Sequence, residues 1–259
     1  MSKISYGCTA LIGTTKTGEL KPDADGFYTL NLGAFGFHNA AGAYYELDPA
    51  VDVLENSPAF RRRIAAGALY AECGHPKFEQ GMTKREYGAR LSIIEETRHC
   101  AFIKKVWMGD QITDKRSGNV GRLVMGLVKP SGQYGPQLAE KLADKDQNVS
   151  FSIRSLTMDQ YVPSRGCVVK TIKHIETWDY VTEPGIYCAD RWNNPGLESL
   201  SAINLEEQDF VTAIAEAEDR YSGMESDVPA HLKEINQSID WSKTSSGLVI
   251  PRRSIGGKW

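Results

Sequence analysis

Alternation of apolar and polar positions is sharpest over residues 148–156. There Val149, Phe151 and Ile153 fall on one face of a strand, and Ser150, Ser152 and Arg154 on the other. Two further apolar-rich runs of strand length, 120–128 and 168–175, are bounded by Gly, Pro or Ser. Helix signals are fewer. Ser57-Pro58 supplies an N-cap and a proline at the first helical position, Phe60 and Ile64 share a face, and Gly67 marks the stop. Residues 136–145 predict a short second helix with Leu138 and Leu142 on one side. The first 50 or so residues are rich in Gly, Ala and Tyr, with short β-like runs such as Phe27-Tyr28-Thr29-Leu30. This pattern predicts a strand-dominated core and an α+β, mainly β, fold with a few flanking helices.

Beyond about residue 190 the character changes. Asn193-Asn194-Pro195-Gly196 is a strong turn signal. Asn204 followed by Glu207 can cap a helix carrying Phe210, Ile214, Ala217 and Tyr221 about four apart, in an otherwise acidic segment. Residues 242–259 are Ser/Gly-rich and basic. The expected division is therefore 1–190 as the core, including an N-terminal pro-like segment, and 191–259 as an appendage, partly helical and partly flexible.

Composition narrows the function classes. The 259 residues carry 30 Lys+Arg against 33 Asp+Glu, a net charge of −3, which argues against a nucleic-acid coat and direct nucleic-acid binding. No run approaches the roughly 18 apolar residues of a membrane span, and the N-terminus lacks the apolar centre of a signal peptide. Five cysteines, odd in number and without a C-x-x-C pair, read as reduced thiols in an intracellular protein.

Three segments offer chemistry. Ser152 and Arg154, two apart on a strand, suit a nucleophile beside a cation able to stabilise an oxyanion. Taken alone, the pattern better fits a half-buried edge strand with a wet polar face. In Ala71-Glu72-Cys73-Gly74-His75-Pro76, a histidine held at a strand end by a proline suits a general base; taken alone, the segment better fits a turn histidine with a satisfied ring. No second ligand pair accompanies Cys73 and His75, so no metal is expected. His174 and Asp179 follow on the next strand with opposite parity, so only one of them is expected to share a face with Ser152. Either can orient a catalytic base. His99 and Cys100 are adjacent and therefore point to opposite faces, which makes them a poor cysteine dyad.

Taken in order, these segments resemble the prohead (procapsid) maturation proteases of tailed bacteriophages and, more distantly, the herpesvirus assembly proteases. The resemblance rests on Ala71 to Pro76, on the glycine-containing strand from Val120 through Gly121 and Gly126 to Val128, and on Pro130-Ser131-Gly132 followed by the short helix. It continues through Ser152-Ile153-Arg154 and Asp179-Tyr180-Val181-Thr182-Glu183-Pro184, covering roughly residues 40–190. Two departures are Ala71 in place of the usual glycine and Ile153 in place of a second serine.

The resemblance implies a herpesvirus-protease-like β-barrel core and a serine endopeptidase without a cofactor. His75 would be the base and Ser152 the nucleophile, with Arg154 helping to stabilise the oxyanion. The third member is divided: the herpesvirus relatives point to His174 and the phage relatives to Asp179. His174 is preferred and Asp179 kept as the alternative. Implied substrates are procapsid scaffold and major capsid protein precursors, cut after a small or aliphatic residue, any residue, then Glu, inside the assembling procapsid in the host cytoplasm. Thr17-Gly18-Glu19, Gly196-Leu197-Glu198, Ile214-Ala215-Glu216 and Gly223-Met224-Glu225 would be self-cleavage sites. A homo-oligomer without membrane contact is expected. A non-catalytic capsid, scaffold or tube-like protein on the same fold is the competing reading; separation of His75 from Ser152 by a packed core layer would favour it.

Overall fold

The computed structural model describes residues 3–13, 20–39, 41–113, 117–144, 146–182 and 203–205. The strands form two sheets. One has the order β3 (Tyr44–Tyr45), β8 (Cys167–Val181), β7 (Ser150–Val162), β1 (Lys3–Gly13), β9 (Ile203–Leu205). The other runs β2 (Tyr28–Phe35), β6 (Val120–Pro130), β5 (His99–Thr113), β4 (Tyr70–Glu72). Neighbours are antiparallel except the short β3–β8 pair. Helices α1 (Leu47–Asn56), α2 (Pro58–Ala65), α3 (Lys84–Leu91) and α4 (Gly135–Ala143) flank them, so the fold is mainly β with a few helices. One continuous core joins the sheets, with Leu30, Leu32, Phe35 and Val124 from one and Phe151, Ile153 and Trp178 from the other.

Local chemistry explains the helices. At α2, the Ser57 hydroxyl accepts a hydrogen bond from the Phe60 N–H at 3.4 Å, and Pro58 occupies the first turn. Helix α4 buries Leu138 and Leu142. Two helices escape the sequence pattern. In α3, Thr83 and Glu86 form a reciprocal capping box that was there to be read; α1 begins without a side-chain cap. Helix α2 docks on β8, with Phe60 edge-on to Trp178 at 5.9 Å between centroids.

The glycines of β6 mark a close approach. A Cβ on Gly121 would stand 2.1 Å from the Phe35 carbonyl oxygen and 2.3 Å from the Phe37 ring, so only glycine fits between β2 and β6 there. The sheets meet at a seam: Cys73, just past β4, makes a single parallel bridge to Tyr180 of β8. The Thr177 hydroxyl reinforces it by donating to the Tyr70 carbonyl at 2.6 Å.

The edge-strand reading of β7 is overturned. β7 lies between β8 and β1, and residues 150–157 are buried on both faces. Its polar face is dry because buried charged groups, rather than water, cover it. The boundary expected at residue 190, the helix expected after Asn204 and the four self-cleavage triplets lie outside the described residues. Residues 203–205 pair with Tyr6, Ser5 and Ile4 of β1.

Candidate active site

Sheet register sets the first relationship. On β7 and β8, Ser152 pairs with Asp179 and Arg154 with Thr177, and cross-strand partners project to the same face. Both Ser152 and Asp179 are fully buried, and the His75 side chain, 9% exposed, is where this cluster meets the surface.

The third residue arrives from the other sheet. Strand β4 ends at Glu72, whose N–H donates to Asp179 Oδ1 at 3.1 Å. The Cys73 N–H donates to the Arg98 carbonyl at 2.9 Å, and the Gly74 N–H to the Tyr180 carbonyl at 2.8 Å. Gly74 has φ of +76°, a left-handed conformation that glycine adopts without a Cβ penalty. This turn carries His75 over β7 and β8, and the Tyr87 hydroxyl fixes the next residue by donating to the Pro76 carbonyl at 3.0 Å.

His75 then bridges the two strands. Its Nδ1 lies 2.9 Å from Asp179 Oδ2 and its Nε2 lies 2.6 Å from Ser152 Oγ. An ionised carboxylate can only accept, so Nδ1 carries the ring proton and Nε2 is left to accept from the serine hydroxyl. A base and a hydroxyl so oriented can generate a serine alkoxide as the proton moves to Nε2.

Arg154 keeps Asp179 ionised. Its Nη2 donates to Asp179 Oδ1 at 2.8 Å and its Nε to Oδ2 at 2.9 Å. Burial alone would raise the aspartate pKa; the Arg154 charge and the contacts with His75 outweigh it and hold the carboxyl below its ordinary value. The oxyanion role expected for Arg154 is therefore corrected. The guanidinium is fully buried, also donates to the Ile93 carbonyl at 2.8 Å, and serves the carboxylate instead of an incoming carbonyl.

His174, the preferred third member, is also placed elsewhere. Glu176 is bulged out of the β7–β8 pairing, which brings His174 opposite Leu156, four residues from Ser152. At a rise of about 3.3 Å per residue that is roughly 13 Å along the strand. Distance, and not parity, separates it from the serine. Its Nε2 faces Glu176 Oε1 at 3.2 Å, and Arg63 of α2 donates to the Glu176 carbonyl at 2.6 Å, a separate buried cluster.

The thiols near the site are poor nucleophiles. Burial pushes both Cys73 and Cys100 above the ordinary thiol value, so both are protonated at neutral pH. Sequence reasoning singled out Ser152, His75 and Asp179 but gave Glu72 no role. The signal was a carboxylate closing the otherwise apolar run 67–71. Arg90, which clamps Glu72 from α3, carried no signal of its own.

The sequence model of the Peptidase S80 family matches residues 6–235. The capsid maturation protease of Pseudomonas phage phiKZ is 38% identical over 202 residues, spanning 76% of this chain and 73% of that protein. Among solved structures, the capsid assembly protease of bacteriophage T4 superimposes with a TM-score of 0.46 at 10% identity, over 71% of this chain and 99% of that one.

Proposed function

Since the chain belongs to the Peptidase S80 family, we propose that it is a serine endopeptidase of phage procapsid maturation, with Ser152, His75 and Asp179 as its catalytic residues. The observation that carries this reading is the unbroken contact from Ser152 Oγ through the His75 ring to Asp179, at 2.6 and 2.9 Å. Ser152 Oγ attacks the scissile carbonyl while His75 Nε2 takes its proton. Asp179 stabilises the imidazolium that forms. His75 then returns the proton to the leaving amine, and water repeats the cycle on the acyl-enzyme.

The phiKZ relative is named for capsid maturation, and that name supports capsid and scaffold precursors as substrates here too. With the reading come a herpesvirus-protease-like core, action as a homo-oligomer within the procapsid, and cleavage after small or aliphatic-x-Glu. The chain's own triplets ending at Glu19, Glu198, Glu216 and Glu225 would then be processed, separating the core from its flanking segments.

Mass spectrometry of the purified chain beside a Ser152→Ala variant, each incubated with procapsid scaffold protein, tests this. The wild type is expected to cut the scaffold and itself after Glu, and the variant to leave both intact. Equal processing by the two proteins sinks the reading.

A further inference from the structure

Behind Asp179 the buried charges continue outward. The Glu72 carboxylate is fully buried at the end of β4. On one side it faces Arg154, whose Nη2 lies 3.3 Å from Glu72 Oε2. On the other it accepts from Arg90 Nη1 at 3.0 Å and Nη2 at 2.6 Å, and from the Glu95 N–H at 2.7 Å. Asp179, Arg154, Glu72 and Arg90 thus form a ladder of alternating charge from the site to helix α3.

We propose that Glu72 is a positioning residue for the hydrolytic reaction, acting on His75 through Arg154 and Asp179. This rests on the reading of Ser152, His75 and Asp179 as catalytic. The reason lies in one shared oxygen. Asp179 Oδ2 accepts both from His75 Nδ1 and from Arg154 Nε, each at 2.9 Å. Two cations on one carboxylate oxygen disfavour one another, so an uncompensated Arg154 opposes the imidazolium that the reaction must form. Glu72 offsets the Arg154 charge at 3.3 Å and turns the guanidinium so that it spans two carboxylates. Its own backbone N–H fixes Asp179 Oδ1, so one residue orients the acid member both directly and through Arg154.

Other charges face this ladder from several elements. Arg98, from the short turn before β5, lies 3.6 Å from Glu72 Oε2 and donates to the Cys73 carbonyl at 3.2 Å. Glu95 pairs with Arg90 Nε at 3.0 Å. Lys141 of α4 donates to the Tyr180 hydroxyl at 2.7 Å, and its charge reaches Cys73. His99 of β5 feels the Glu72 charge, although burial holds its pKa below the ordinary value. Arg154 itself contacts the carboxylates of both Asp179 and Glu72.

The test uses the full chain and a fluorophosphonate probe, so it needs no knowledge of the peptide substrate. Ser152 Oγ forms a bond to phosphorus, fluoride leaves, and His75 takes the serine proton. The rate of Ser152 labelling is followed against pH. Glu72→Gln keeps an acceptor for Arg90 and the Glu95 N–H but loses the charge. It is expected to lower the plateau rate about tenfold and move the acid limb about one unit to lower pH, with Glu72→Asp restoring the limb. Arg90→Gln removes the outer cation and is expected to move the limb to higher pH; it decides the matter if the Glu72 variants do not fold. Unchanged limbs, or shifts in the same direction for Glu72→Gln and Arg90→Gln, overturn the proposal. Labelling of wild type and Ser152→Ala alike would instead overturn the catalytic reading beneath it.

Discussion

Ser152 and Asp179 are direct cross-strand partners on β7 and β8, so the proposed nucleophile and acid member are held together by sheet register. Only His75 arrives on a turn, and that turn is hydrogen-bonded back to β8 through Gly74. Two of the three groups therefore sit on paired strands, which hold a site more precisely than loops do.

Asp179 and His174 should separate cleanly by substitution. Asp179→Asn presents an amide donor to Nδ1 and favours the wrong ring tautomer, so the rate of peptide cleavage is expected to fall about 10⁴-fold. It also removes the nearer of the two carboxylates on the buried Arg154, Glu72 at 3.3 Å being kept, and a stability loss of about 3–5 kcal/mol should appear in urea unfolding. His174→Gln removes the contact with Glu176, with an expected cost of about 1–3 kcal/mol and a cleavage rate within about threefold of wild type. The reverse ranking of rates would restore His174 to the site.

Gly74 offers a probe of the turn alone. A Cβ there would meet nothing nearer than Arg98 Nη2 at 4.0 Å, so Gly74→Ala introduces no clash. Its cost is the left-handed backbone, about 1–2 kcal/mol. If the turn relaxes, His75 leaves Ser152, and cleavage should fall by more than the stability loss accounts for. Thermal melts and initial rates on the same preparation check this; Gly74→Asn, which tolerates the conformation better, should fall between.

Acid should weaken the fold in two stages of the same sign. His99 is held neutral by burial, its pKa lowered from 6.5, so its contribution is present at higher pH and is lost as pH falls below that value. Asp179 is held below its ordinary 3.8, so its contribution is full above that value and lost as pH falls through the folded-state pKa. Melting temperatures measured from pH 8 to 2 should decline below about 6.5 and more steeply below about 4. Asp179→Asn should flatten the lower stage and leave the upper one, and an unchanged lower stage would refute the assignment.

Much of the architecture was legible because it is written in local pattern. The serine strand, the proline-started helix at Pro58 and the helix over Leu138 and Leu142 all follow from periodicity and caps. The failures share a cause. Strand β7 reads as half-wet because alternation reports polarity, and polarity cannot distinguish water from a buried ion network. Arg154 reads as an oxyanion partner for the same reason, since its partners Glu72 and Asp179 lie 82 and 25 residues away. His174 and Asp179 could not be ranked by parity because the bulge at Glu176 is visible only in the pairing of β7 with β8.

The seam at Cys73 and Tyr180 has a temporal meaning. Serine and aspartate belong to one sheet, while the histidine is delivered from the edge of the other. A chain with either sheet alone holds a hydroxyl without a base, or a base without a hydroxyl. On the proposed reading, proteolytic competence therefore waits until both sheets are in place and joined at this seam.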